Sequence, residues 1–397
     1  MEFVDKSLEP VRDRVLSGRR LTVDDVCLLY ASPDLAAIGW MANQVKEKRW
    51  GRQVFYAINR KIEPTNICAL TCRFCDFAVK NNDREAYAMT IDEIVEKCAG
   101  VREIHITGAL HPEWKFDYYL QMVRSLRERY PDAGIKAFTA VEIEWFARIS
   151  RLPVRQVLIK LKEVGLNALP GGGAEIFSER VRKELFPFKI GASTWLEVHR
   201  AAHELGIPTN ATMLYGQIET PEERWAHLEL LRKLQDETQG FMSFIPLAFQ
   251  PGRTSKSLLP SGGEGGDEGW GDGQESPHPC PLPASGARGV VEDMKLLAIS
   301  RLFLDNFPHI KAYWVTLGEE TTSIALHFGA DDVDGTIGEE RIMHAAGAQS
   351  PAGLARERLE KLIREAGSTP CERDALYRDV HIRLDKVGQG WTKPCPT

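Results

Sequence analysis

From about residue 53, short β-rich runs alternate with longer amphipathic stretches, and this alternation constrains the fold more than any other feature of the chain. Candidate strands fall at 54–58, 103–107, 135–139, 168–169, 209–214, 242–248, 309–316 and 324–328. Helical patterns lie between them at 91–100, 116–130, 175–185, 195–205, 222–238 and 290–307. A helix between successive strands carries the chain back to the starting edge, which favours parallel pairing. Eight candidate strands predict an α/β fold, a TIM-type (β/α)₈ barrel with reactive groups at the C-terminal ends of its strands. Residues 1–50 read as an N-terminal helical segment, 51–338 as the barrel and 339–397 as a helical tail. One stretch breaks the pattern. Residues 255–289 are dense in Gly, Pro and Ser and cannot bury enough apolar surface to offset their ordering entropy. They read as a disordered surface insertion after the sixth strand, with an active-site lid as the alternative.

The formal net charge of the 397 residues is −6, so no global positive field draws the chain to nucleic acid. The N-terminal run mixes both charges with apolar residues at helical spacing, unlike a signal peptide, and no uncharged apolar run is long enough for a bilayer. A cytoplasmic location without membrane contact is expected, and there clustered cysteines more often bind metal than form disulfides. Of eight cysteines, three sit together: Cys68, Cys72 and Cys75, spaced C-x₃-C-x₂-C just after the first strand. A cubane cluster has four irons, so three thiolates leave one iron without a protein ligand. That iron can chelate the amino and carboxylate groups of a methionine moiety and pass an electron to its sulfonium. Iron–sulfur potentials reach about −700 mV, low enough for such a cleavage, which yields methionine and a 5′-deoxyadenosyl radical. Two closed-site readings compete. A structural zinc site would recruit His105 or His111, and an electron-carrier cluster would recruit a fourth cysteine. Cys98, the nearest, follows the helical apolar spacing of Ile91, Ile94 and Val95 and reads as core.

With Phe74 before its third cysteine, and Asn66 and Phe77 flanking it, the motif resembles that of the radical S-adenosylmethionine (SAM) superfamily, in its menaquinone and deazaflavin branch. The resemblance covers roughly residues 50–350. Within the branch, Lys136-Ala-Phe-Thr-Ala-Val-Glu142-Ile, Leu169-Pro-Gly-Gly-Gly-Ala-Glu175-Ile-Phe and Ala211-Thr-Met-Leu-Tyr215-Gly look like the aminofutalosine synthase family. The resemblance implies one [4Fe–4S] cluster on the three cysteines, SAM as co-substrate, and an external low-potential electron donor. It also implies a reaction: the adenosyl radical adds to the vinyl carbon of 3-[(1-carboxyvinyl)oxy]benzoate, a chorismate-derived enol ether. Aryl migration and decarboxylation then give 6-amino-6-deoxyfutalosine for menaquinone biosynthesis. The sister enzymes, a dehypoxanthine futalosine cyclase and a deazaflavin-forming synthase, are the alternatives within the superfamily. A non-catalytic iron–sulfur carrier is the alternative outside it.

Candidate SAM contacts are Phe74, the post-strand turn Thr107-Gly108-Ala109, Glu175 after the triple glycine 171–173, and Asn210. The glycines permit close backbone approach and free N–H groups. Candidate substrate contacts are His111, Lys136, Thr139 and Glu142. Strand alternation turns Lys136 into the barrel, where a buried ammonium needs a counter-charge or a bound anion. Arg182 and Lys189 read as a solvated helix face, and Asp331-Asp332-Val-Asp334-Gly335 as a solvated loop. Three positions depart from the family pattern. Ala109 replaces a glycine. Gln217 replaces a histidine and cannot transfer a proton near neutral pH. Asp76 stands where a small residue is common, and a carboxylate facing an anionic cluster would make its reduction harder.

Overall fold

The computed structural model describes residues 1–252, 289–378 and 380–382, so all but the last residue of the expected insertion at 255–289 lies outside the described residues. Ten strands appear among the described residues: β1 Gln53–Ala57, β2 Asn59–Ile62, β3 Glu103–Ile106, β4 Gly134–Ala137, β5 Thr209–Tyr215, β6 Phe241–Ala248, β7 His309–Ile310, β8 Asp332–Gly335, β9 Thr369–Arg373 and β10 Val380–Ile382. β1 and β2 are adjacent, separated only by Ile58, and act together as the first barrel stave. β2 pairs parallel with β3, and β3 with β4. Single bridges from Lys136 to Ala168 and from Leu169 to Thr209 make residues 168–169 the fourth stave. β5, β6 and β7 follow in parallel, Lys311 bridges to Asp332, and β8 returns to β1 through Phe55 and Asp332. The chain folds as an α/β, TIM-type barrel.

Alternation along the staves explains the packing. Ile104 and Ile106 join the apolar cluster that lies under the helices, while Glu103 and His105 alternate to the other face, the barrel interior. Helices Val23–Ala31, Ile91–Lys97, Ala140–Ser150 and Pro221–Thr238 each open on a capping box. In each, a threonine hydroxyl and an acidic side chain three residues on satisfy amides that the helix leaves open. The N-terminal helices at 9–50 lie against the barrel, where Lys46 donates to the Leu326 carbonyl at 2.7 Å.

Five expectations need correction. Residues 324–328 are not the eighth strand: they end helix Glu319–Ala325, and the strand is Asp332–Gly335. That segment read as a solvated loop because of its acids, yet every residue of β8 is buried. Its carboxylates are neutralised from elsewhere: Asp332 by Arg373 at 2.6 Å, and Asp334 by Lys311 at 3.1 Å. Asp331 is likewise held by Arg301 and by His309, the latter at 2.5 Å. The run 309–316 is a two-residue strand followed by helix Trp314–Leu317. The helix expected from 175 begins at Glu179, because the Ser178 hydroxyl caps it by accepting from the Val181 amide. Finally, the tail after residue 338 holds helices Ile342–Ala345 and Arg356–Glu365 but also two strands. β9 pairs parallel with β1, and β10 antiparallel with β9.

Candidate active site

The loop that follows β2 is held in shape by its own backbone. The Cys68 amide donates to Val79 O at 3.0 Å, Ala69 to Leu110 O at 2.8 Å and Arg73 to Leu185 O at 2.7 Å. Asn66 ties the loop to its far side, donating to Glu85 O and accepting from the Tyr87 amide, both at 2.9 Å. Lys80 donates to the carbonyls of Cys68 and Leu70 at 3.0 and 3.2 Å. The three cysteines are free thiols, each partly buried, and all line one cavity of about 260 Å³ at the C-terminal ends of the staves. That is room for a ligand rather than for a few waters.

Burial pushes the Cys72 thiol up to about 11 and raises Cys75 as well, while the Lys189 ammonium acts in the opposite direction on both. Burial makes the thiolate forms of Cys72 and Cys75 costly, and a bound metal cation would offset that cost. Among the described residues no three His, Cys, Asp or Glu side chains converge on a single metal ion. His111, one of the two fourth ligands the zinc reading requires, is stacked on Trp114 at 4.5 Å, with its Nδ1 accepting from the Glu113 amide. Three sulfurs bordering one cavity without meeting at a point suit a multi-iron cluster, with the cavity at its open corner.

Most of the expected contacts are brought together around this cavity. Phe74 lines it, set edge-on to Phe186 with ring centres 5.7 Å apart. Thr107, Gly108 and Ala109 form a wall that the Ala109 amide anchors on Thr65 O at 3.2 Å. Thr139 and Glu142 line it too, although the Glu142 carboxylate accepts from the Thr139 amide at 2.7 Å and hydroxyl at 2.8 Å. Burial nonetheless pushes Glu142 up to about 7, against the stabilising amides of Thr139 and Gly108. Glu175 is not in a helix. It has a φ of +46° and ion-pairs with Lys189, and both residues border the cavity. Asn210 lines it with its Oδ1 accepting from the Ser243 hydroxyl at 2.9 Å. The glycines at 171–173 have a packing cause as well. A Cβ on Gly171 would stand 2.6 Å from the Ala211 backbone, and Gly171 O accepts from the Thr212 hydroxyl.

Two expected substrate contacts lie elsewhere. Lys136 does enter the barrel, but its ammonium pairs with Glu103 at 2.5 Å below the cavity. His111 is packed into its loop by Trp114, as described. Gln217 does not border the cavity either: its amide donates to Glu219 at 2.8 Å. Asp76 does border it, and sits so close to Gly252 that a Cβ there would meet its Oδ2. Sequence reasoning missed Lys61 and Tyr313, read Lys189 as a helix face and Asp334 as part of a solvated loop, and named His105 only as a candidate zinc ligand; all five border the cavity. His105 was within reach, since it lies two residues before Thr107 on the same strand face.

The model of the radical SAM superfamily matches residues 62–231, and that of the CofH/MqnC C-terminal region matches 286–385. The chain is 46% identical over 383 residues to the aminodeoxyfutalosine synthase of Thermus thermophilus, covering 95% of this chain and 97% of that one. It is 39% identical to the enzyme of the same name from Streptomyces coelicolor, covering 92% of each. Among solved structures, methylornithine synthase superposes with a TM-score of 0.65 at 18% identity, covering 91% of this chain and 97% of that one; this likeness bears on the fold alone. With three free cysteines on the loop after the first stave, the chain belongs to the radical SAM superfamily and, within it, to the aminodeoxyfutalosine synthase family.

Proposed function

We propose that the chain is an aminodeoxyfutalosine synthase, joining the adenosyl group of SAM to 3-[(1-carboxyvinyl)oxy]benzoate and forming 6-amino-6-deoxyfutalosine for menaquinone biosynthesis. The observation that carries this reading is a convergence. Cys68, Cys72 and Cys75 border the same cavity as Thr139, Glu142 and glycines 171–173, which belong to the segments that carry the family resemblance. Those thiolates would hold a [4Fe–4S] cluster, whose chemistry would be one-electron reductive cleavage of SAM to methionine and the 5′-deoxyadenosyl radical.

The chain's own residues do the rest. Phe74, Thr107, Gly108, Ala109, Glu175 and Asn210 hold SAM against the cluster loop. Asn210 keeps its amide N–H₂ for a ribose or carboxylate oxygen, because Ser243 already occupies its Oδ1. Lys189 fixes Glu175 and places a cation near the thiolates. Thr139 and Glu142 face the substrate, and Glu142 holds a proton part of the time near neutrality. Leu247 and Phe249 supply an apolar wall that keeps water from a reactive radical. Electrons come from an external low-potential donor. Among the described residues no helix is long and apolar enough to cross a membrane, and the working location is the cytoplasm.

The test is anaerobic incubation with SAM, a reductant and, separately, the enol ether, dehypoxanthine futalosine, or tyrosine with ribitylaminouracil. Adenosyl incorporation into product with the enol ether alone is expected. Turnover of either other substrate in its place would reassign the chain to a sister activity.

A further inference from the structure

The cavity ends on a polar floor that the roles above leave unused. Lys61 of β2, His105 of β3 and Lys136 of β4 stand in register across three neighbouring strands. Alternation therefore sends all three to the barrel interior, one residue pair deeper than Thr107. Lys136 is engaged by Glu103. Lys61 and His105 instead border the cavity, where Tyr313 and Asp334 join them. Tyr313 is only 6% exposed. Among the described residues neither its hydroxyl nor the His105 imidazole has a hydrogen-bond partner. Both groups border the cavity and keep their hydrogen-bonding capacity free for a ligand that enters it.

The chemistry of that ligand follows from what the floor has left to give. Burial, reinforced by the Lys136 cation, pushes His105 down to about 3, so the ring is neutral and offers one N–H. Burial also holds the Tyr313 phenol protonated. The acceptors that border the floor are already committed: Asp334 to Lys311 at 3.1 Å, and Glu340 to Lys61. Glu63, 3.3 Å from Lys61, is raised by burial, with the Lys61 ammonium opposing that rise and the Glu340 carboxylate adding to it. Two free donors beside an ammonium suit an acceptor group, and a carboxylate best of all.

We propose that Lys61, His105 and Tyr313 form a carboxylate subsite at the bottom of the cavity, which takes the ring carboxylate of an aryl enol-ether substrate. The subsite stands on the geometry; the identity of its occupant rests on the function proposed above. The orientation follows from the reaction. The vinyl carbon has to meet the adenosyl group beside the cluster loop, and the ring carboxylate lies at the opposite end of that substrate. The enol carboxylate, attached next to the vinyl carbon, stays at the upper end.

Two measurements test this. The first is calorimetric titration of the full-length chain without its cluster, using 3-methoxybenzoate and, as a neutral control of the same shape, 3-methoxybenzamide. The wild type is expected to prefer the benzoate. His105→Ala and Tyr313→Phe are each expected to weaken benzoate binding about tenfold, the scale of a hydrogen bond to a charged group, and to narrow that preference. Tyr313→Phe conserves the packing, so a folded variant is available even if His105→Ala is not. Absence of benzoate binding by the wild type, or unchanged binding in the folded variants, would overturn the subsite. The second is steady-state turnover of the enol ether by the reconstituted enzyme, where Tyr313→Phe is expected to raise KM about tenfold, the loss falling on KM rather than on kcat. A wild type that binds benzoate through these residues but does not turn over the enol ether would leave the subsite standing and remove the proposed reaction.

Discussion

Glu142 shows how one side chain can serve two purposes. Its carboxylate closes the capping box of helix Ala140–Ser150 and also borders the cavity, where burial raises it from 4.5 to about 7. Glu142 then binds more protons in the native state than in the unfolded chain between those values, so its own contribution to stability is fully present below pH 4.5 and is lost as pH rises through about 7. The loss attributable to this group is roughly 3 kcal/mol. Glu142→Gln keeps the cap, because glutamine also serves at that position. Urea unfolding of the cluster-free protein at several pH values is expected to show a flatter decline over that window in the variant; an identical decline would remove the role. The three cysteines that border the cavity were legible because their spacing is local: all lie within eight residues. Lys136 was legible only in part. Alternation gave its direction, but its partner Glu103 depends on the register between β3 and β4, which no local pattern encodes.

At the scale of elements, the C-terminal strand β9 matters as much as the staves beside it. It lies parallel to β1 and places Arg373, fully buried, between Glu103 at 2.8 Å and Asp332 at 2.6 Å. Removing one partner from such a network leaves uncompensated charge in a dry interior. Arg373→Leu is therefore expected to cost about 3–5 kcal/mol in chemical denaturation, and a loss below about 1 kcal/mol would show that water screens the network. The contact between the glycine loop and β5 makes a second prediction. Gly171→Ala drives a methyl into the Ala211 backbone, which cannot yield as a flexible side chain can. A loss of about 1–3 kcal/mol in unfolding free energy is expected. Two strands, β8 and β9, mark where sequence reading failed. Helices Ile91–Lys97, Phe116–Arg129 and Pro221–Thr238 were found to within a few residues, but Ala140–Ser150, despite its capping box, and Val154–Glu163 were not picked out. β8 was missed because its acids imitate a solvated loop, and β9 because a short strand after a helical stretch carries no alternation signal of its own.

Across the whole molecule, a closed barrel separates two jobs. The staves and β9 confine a balanced set of charges at the bottom, and the loops at the other end surround a cavity with three thiols on its rim. Cys72→Ala removes one thiolate while leaving every stave intact. It is expected to abolish 5′-deoxyadenosine formation and to lower iron below about four per chain, with the thermal unfolding of the cluster-free protein unchanged. Retained SAM cleavage in that variant would contradict the ligand assignment. The barrel class was legible because the strand–helix rhythm repeats along the chain. Its closure was not, since β8 meets β1 across some 280 residues of sequence. The most direct measurement is paramagnetic resonance of the anaerobically reconstituted and reduced protein, with SAM labelled at the methionine amino nitrogen and carboxylate oxygens. Hyperfine coupling from both labels to the cluster is expected, because one iron is left for the substrate to chelate. A spectrum indifferent to labelled SAM, or a protein that takes up only zinc, would contradict the account.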